Sequence, residues 1–218
     1  MTRPPYNPLD KVALAKSIEA ELLRAAPAPL AQASNIIGAG VYAIYYAGSF
    51  YAYASIAARN AGGKFELPIY VGKAIPKGGR KGGLTLDSST GSALAARLRK
   101  HATSIAEATN LDLNDFYTRH LVVEDIWIPL GENVLIETFQ PLWNVIVDGF
   151  GNNDPGGRRA TQFRSSWDTL HPGRSWSAKL AVGPTTVEDV KKRIGDALAG
   201  RPVPRVDERD GSDDEESS

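Results

Sequence analysis

The chain has 218 residues, 42% of them hydrophobic, enough for one compact core with decorations. It has no cysteine, which excludes a disulfide framework, a thiolate zinc site and a cysteine nucleophile. With no apolar run suited to a signal peptide or a membrane span, a soluble cytoplasmic protein is expected. The formal charge is zero, but residues 201–218 carry seven acids against three arginines, leaving 22 basic and 18 acidic residues, or +4, on residues 1–200. A mildly basic body with a solvated acidic tail fits a nucleic-acid binder.

In residues 8–25, Val12, Ala15, Ile18, Leu22 and Leu23 recur at helical spacing, which predicts an amphipathic helix stopped by Pro27 and Pro29. Gly38-Ala39-Gly40 then opens onto Val41-Tyr42-Ala43-Ile44-Tyr45-Tyr46, an aromatic and β-branched run that predicts the first core strand. Leu67 to Gly72 predicts a second strand joined to the first as a hairpin, with a turn at Asn60-Ala61-Gly62-Gly63. The Ala-rich stretch from Ser92 to Ala108 predicts a helix whose apolar line is Leu94, Leu98 and Ile105. Leu121-Val122-Val123 reads as a third strand, and Ile128 to Phe139 as a second core helix ended by Pro141. Residues 149–159 hold too many turn formers for a regular element. A last helix starts at Thr185 or Thr186, with Glu188 placed for a capping box, and runs to Gly200; the acidic tail beyond it has nothing to bury. There is no internal repeat.

Arg97 and His101 lie four apart on the predicted helix, so their side chains share a face: a guanidinium fork for phosphate oxygens and an imidazole able to take a proton. Glu137 is a charge inside the apolar run Val134 to Phe139, and a carboxylate turned toward a core needs a partner, for which Mg²⁺ is suited. Tyr42 and Tyr70 each stand at a glycine-containing strand end, where two phenols can reach one point across a hairpin. Lys73, Lys77, Arg80 and Lys81 form a loop rich in glycine that could lie along a phosphate backbone. Arg158, Arg159 and Arg164 are candidates for bidentate reading of guanine, though the sequence does not separate base from phosphate contacts.

Gly40-Val41-Tyr42, Tyr70-Val71-Gly72, then Arg97, His101, Glu137 and Pro141-Leu142-Trp143-Asn144, in that order, resemble the GIY-YIG nuclease superfamily over residues 38 to 147. The histidine, the long insertion between the motifs and the extra sequence at both ends look like its type II restriction endonucleases, especially the subgroup reading CCGCGG. The resemblance implies an α+β fold, a small three-stranded, mainly antiparallel sheet flanked by helices. On it the chain divides into an N-terminal helical extension (1–37), a nuclease core with inserted loops (38–160), a C-terminal extension (161–200) and a disordered acidic tail (201–218). It further implies catalytic roles for Tyr42, Tyr70, Arg97, His101, Glu137 and Asn144. Glu137 would hold a single divalent ion, Mg²⁺ with Mn²⁺ as a substitute, and either Tyr42 or His101 would receive the proton of the attacking water. The implied substrate is double-stranded DNA, cut at a short palindrome by a homodimer; the helix at 8–25 is a candidate for the dimer interface or for packing on its own core. A structure-specific repair or mobile-element nuclease and a non-catalytic DNA-binding protein are the alternatives. Two departures stand out: the motif tyrosines are 28 positions apart, and valine replaces isoleucine in both motifs.

Overall fold

The computed structural model describes residues 10–75, 91–154 and 162–206. Helix α1 (Lys11–Arg24) leads into a two-residue strand β1 (Ala28–Pro29), followed by β2 (Gly40–Tyr46), α2 (Ala54–Asn60), β3 (Pro68–Ala74), α3 (Ala93–Glu107) and β4 (Phe116–Val122). The order continues with α4 (Ile128–Phe139), α5 (Leu142–Val145), α6 (Ser166–Leu170) and α7 (Val187–Leu198). Among the described residues one sheet of four strands runs in the order β1-β4-β2-β3, all pairs antiparallel. The expected three strands are thus joined by a short edge strand, with proline on both edges where a missing N–H costs least.

β2 is buried at all seven positions because helices cover both faces of the sheet. Tyr42, Ile44 and Tyr46 point into one core, with Tyr70, Leu94, Leu98, Phe116 and Trp143. Val41, Ala43 and Tyr45 point into the other, with Leu22 of α1 and Ile128 and Leu135 of α4. A strand covered on two sides reads as a continuous apolar run rather than an alternation, which is what its sequence shows. Helix α1 packs on its own core: Gly131 of α4 gives it room, since a Cβ there would stand 3.1 Å from Ile18 and 3.2 Å from Val41. The segment 161–200, expected as an extension, supplies Trp167, Leu170, Val190 and Ile194 to the same core as Tyr42.

The insertion between the motifs leaves the hairpin intact. Asn60, 1% exposed, donates to the carbonyls of Tyr46 and Leu67 and accepts from the Leu67 N–H, each at 2.9 Å, so it closes the excursion through α2 like a staple. β4 begins five residues before the expected Leu121, because polar residues mask it in the sequence. Thr118 Oγ1 donates to Ala43 O at 3.0 Å, and Arg119 lies over the Tyr45 ring while donating to Ala25 O and Phe65 O. Buried polar groups are tolerated when they are paired. At α7 the capping box pairs Thr186 with Asp189, not Glu188, and Gly200 at φ 72° ends the helix in the left-handed region. No helix among the described residues is long and apolar enough to cross a membrane.

Candidate active site

Register places the two motifs against each other: Tyr42 pairs with Gly72 across the β2–β3 ladder. The glycine is required by space. A Cβ at position 72 would stand 2.4 Å from Tyr42 Oη, so any side chain would displace the phenol. Helix α3 brings its shared face to this point. Tyr42 Oη meets His101 Nε2 at 2.6 Å, and the Tyr70 ring centroid lies 6.3 Å from that of Tyr42 and 5.1 Å from that of His101. Arg97, one turn before His101, acts on both tyrosine hydroxyls by charge and hydrogen bonding, and its Nη2 donates to Gly151 O at 3.4 Å.

Both members of the Tyr42–His101 pair are held neutral. Burial, then the neighbouring Tyr70, pushes the Tyr42 phenol well above its ordinary value of 10. Burial, then the Arg97, Lys100 and Arg174 cations, pushes the His101 imidazole well below 6.5. A neutral phenol and a neutral imidazole 2.6 Å apart share one hydrogen bond, and in the Nδ1–H tautomer of His101 the hydroxyl donates to Nε2, which aligns a proton path from Tyr42 to His101.

Glu137 does not face this cluster. It is exposed, whereas the inward positions of α4 are Ile128, Gly131 and Leu135. Glu132 lies about 140° around the helix from Glu137; its side chain is 16% exposed and sits 2.7 Å from Lys73 Nζ. The charge of Glu132 acts on both Tyr42 and Tyr70. The carboxylate of α4 whose charge reaches the tyrosines is therefore Glu132, and the expectation that Glu137 turns toward the core is corrected. The error has a simple cause: Val134, Leu135 and Ile136 make the run around Glu137 apolar on every side, which conceals the phase of the helix. The usable signal was spacing, since Glu132 lies four residues after Ile128 and three before Leu135.

Asn144 reaches the site indirectly. Its Oδ1 accepts from Val71 N and its Nδ2 donates to Val71 O, both at 2.8 Å, so the side chain completes the open edge of β3 beside Tyr70. Lys73 is engaged by Glu132 rather than by an open loop. Arg164 donates to the carbonyls of Ser177 and Ala178 at 3.1 and 3.2 Å, a tie within the C-terminal segment. Lys77, Arg80, Lys81, Arg158 and Arg159 lie outside the described residues.

Phe150 was not anticipated. Its ring stacks on His101 at 4.6 Å and 18°, and meets Tyr70 edge-on at 4.9 Å. A single aromatic in a glycine-rich loop gives no periodic signal from which this contact could be read.

A single carboxylate, mostly buried, paired with Lys73 and close enough to the two phenols to act on them by charge, fits a hard ion such as Mg²⁺, which is usually held by one or two carboxylates, water and substrate oxygens. Compared with known proteins, the chain matches the family model described as the Eco29kI GIY-YIG domain over residues 34–198, about three quarters of its length. No curated protein matches it.

Proposed function

Because the chain belongs to the Eco29kI GIY-YIG family, a restriction endonuclease family acting on DNA, we propose that it is a type II enzyme hydrolysing double-stranded DNA at a short palindrome, with CCGCGG the first sequence to try. The observation that carries the catalytic part is the convergence of Tyr42, Tyr70, Arg97, His101 and Glu132 around one point. Water attacks the scissile phosphorus and gives its proton to Tyr42 Oη as the phenol passes its own proton to His101 Nε2. The P–O bond to the 3′ oxygen breaks, leaving a 3′ hydroxyl once that oxygen is protonated. Relay through the pair answers the difficulty that a buried phenol is a poor base alone.

Arg97 faces the negative charge that develops on the phosphate oxygens, a role typically worth several kcal/mol. Tyr70 positions the phosphate against Arg97, and Asn144 keeps β3, and with it Tyr70, in place. Glu132 would hold the divalent ion, Mg²⁺ or Mn²⁺, which when bound stabilises charge on the phosphate and the leaving oxygen. Lys73 orients the Glu132 carboxylate. One site per chain and a palindromic target call for a homodimer in which each protomer cuts one strand.

The test is digestion of several plasmids by purified protein with Mg²⁺ or with EDTA. The proposal expects discrete, metal-dependent fragments whose sequenced ends share one palindrome. Intact DNA binding with no cleavage at any metal concentration would overturn it.

A further inference from the structure

The main chain that roofs the site is held from outside it. Arg174, 1% exposed, lies between the rings of Trp167 and Trp176, 4.5 and 4.6 Å from their centroids. Its Nε and Nη2 form a two-pronged pair with Asp168 Oδ1 and Oδ2, both at 2.7 Å. The same guanidinium reaches back to the roof: Nη2 donates to Gly149 O at 2.8 Å and Nη1 to Phe150 O at 3.2 Å. Asp168 is fixed in turn by Ser165 Oγ, which donates to its Oδ2 at 2.7 Å. The roof then meets the reacting groups. The Phe150 ring lies flat on His101, and the carbonyl of Gly151 accepts from Arg97.

Stability alone is a weak reason for this arrangement. A buried ion pair usually adds little over an apolar pair of the same shape, because removing two charges from water offsets their attraction. What such a pair does supply is direction: a planar fork fixes four acceptors at set angles, which a lysine ammonium cannot do. Here the four are two carboxylate oxygens and two consecutive carbonyls of the segment that carries Phe150. Gly149, at φ 94°, has little intrinsic preference to hold that path itself.

We propose that Arg174 and Asp168 are positioning residues of the nuclease site, which lock residues 149–151 and, through the Phe150 ring, fix the plane of the His101 imidazole toward Tyr42 Oη. This rests on the nuclease reading above. The segment from 165 to 176 is then part of the catalytic apparatus although none of its side chains reaches the reacting atoms.

The experiment compares the full-length protein with Arg174→Lys and Phe150→Leu. Single-turnover cleavage with Mg²⁺, DNA affinity in EDTA, and the NMR signal of the His101 ring are measured for each. His101 is one of three histidines and is identified by loss of its signal in His101→Asn. A stacked ring shields the imidazole protons, so the expected result is a downfield shift of that signal in both variants. Cleavage is expected to slow by at least about tenfold, the scale of small misplacements of a catalytic group, with DNA affinity within about threefold of the unaltered protein. An unmoved His101 signal, or an unchanged cleavage rate in a folded variant, overturns the proposal. If Arg174→Lys does not fold, Phe150→Leu decides alone. If the unaltered protein cuts no DNA while the His101 signal shifts in both variants, the nuclease reading fails and the positioning of His101 stands.

Discussion

Acid should destabilise this protein well above the range in which its carboxylates titrate, because two of its imidazoles are buried neutral. His171 is enclosed by Phe50, Tyr53, Trp143 and Trp167. Asn110 Oδ1 can only accept, so it takes the Nδ1 proton at 2.8 Å, which leaves Nε2 to accept from Tyr53 Oη at 2.6 Å. Tyr53 oxygen in turn accepts from Trp143 Nε1 at 2.9 Å. Every proton in this chain has an acceptor only while the ring is neutral; a second ring proton would leave the Tyr53 hydroxyl proton without one. Burial, then the Arg174 charge, lowers His171 from 6.5 to about 3. Between those values the unfolded chain binds a proton that the folded chain does not. The stability from this group is therefore complete above pH 6.5 and lost progressively as pH falls toward 3.

From pH 7.5 to pH 5 one such group costs about 2 kcal/mol. His101, also held well below its ordinary value by burial and the neighbouring cations, adds a loss of the same sign; His171 alone accounts for a sizeable share of the ~5–15 kcal/mol typical of a domain. Urea unfolding at the two pH values measures it, as a drop in midpoint of roughly 0.7 M or more from His171 alone at a slope of about 1–3 kcal/mol/M. His171→Gln should remove about 2 kcal/mol of the pH dependence whatever it does to stability itself, and leave the part due to His101 and His120. Burial also lowers the His120 imidazole, which adds to the loss, and raises the Asp115 carboxyl, which opposes it, while the lowered carboxyls of Asp189 and Asp196 act only below the ordinary carboxylate value of 3.8. A midpoint that stays constant from pH 7.5 to pH 5, or rises, would refute the reasoning.

Two substitutions test the geometry. Gly72→Ala puts a methyl group where Tyr42 Oη now lies, 2.4 Å from the built Cβ; cleavage should fall about a hundredfold with DNA affinity nearly unchanged, and wild-type cleavage by G72A would contradict the packing argument. Asn144→Ala removes both bonds to the Val71 backbone and leaves a part-buried N–H and C=O unpaired. Urea unfolding should show about 1–3 kcal/mol lost, together with slower cleavage, and stability within ~0.5 kcal/mol of the unaltered protein would show that the β3 edge needs no such tie.

The parts of this fold that were legible in the sequence are those where a local pattern and the tertiary environment agree. α3 has one apolar line and one functional face, so the joint placement of Arg97 and His101 followed from spacing alone. β2 is buried on both sides and reads as a strand in any context. Other parts depend on partners distant in sequence. β4 is masked by Thr118, Arg119 and His120, whose polar groups are acceptable only because Ala43, Ala25 and Phe65 offer carbonyls. The turn at residues 60–63 was legible, with Gly62 and Gly63 at positive φ, but α2 before it and the stapling role of Asn60 were not, because a staple between two strand ends has no local signature. The inner face of α4 is set by Leu22 and Val41 packing against it, not by the run Val134-Leu135-Ile136, and that difference exchanged Glu137 for Glu132. The Arg174–Asp168 clamp is invisible to periodicity for the same reason: its acceptors lie 24 and 25 residues away.

The account turns on which glutamate serves the reaction. Glu132→Gln and Glu137→Gln, assayed side by side for Mg²⁺-dependent plasmid cleavage and for Mn²⁺ binding by calorimetry, address it directly. The account predicts that Glu132→Gln loses cleavage by about a thousandfold or more and weakens Mn²⁺ binding, while Glu137→Gln cuts within about threefold of the unaltered protein. Cleavage lost in Glu137→Gln and kept in Glu132→Gln would contradict it.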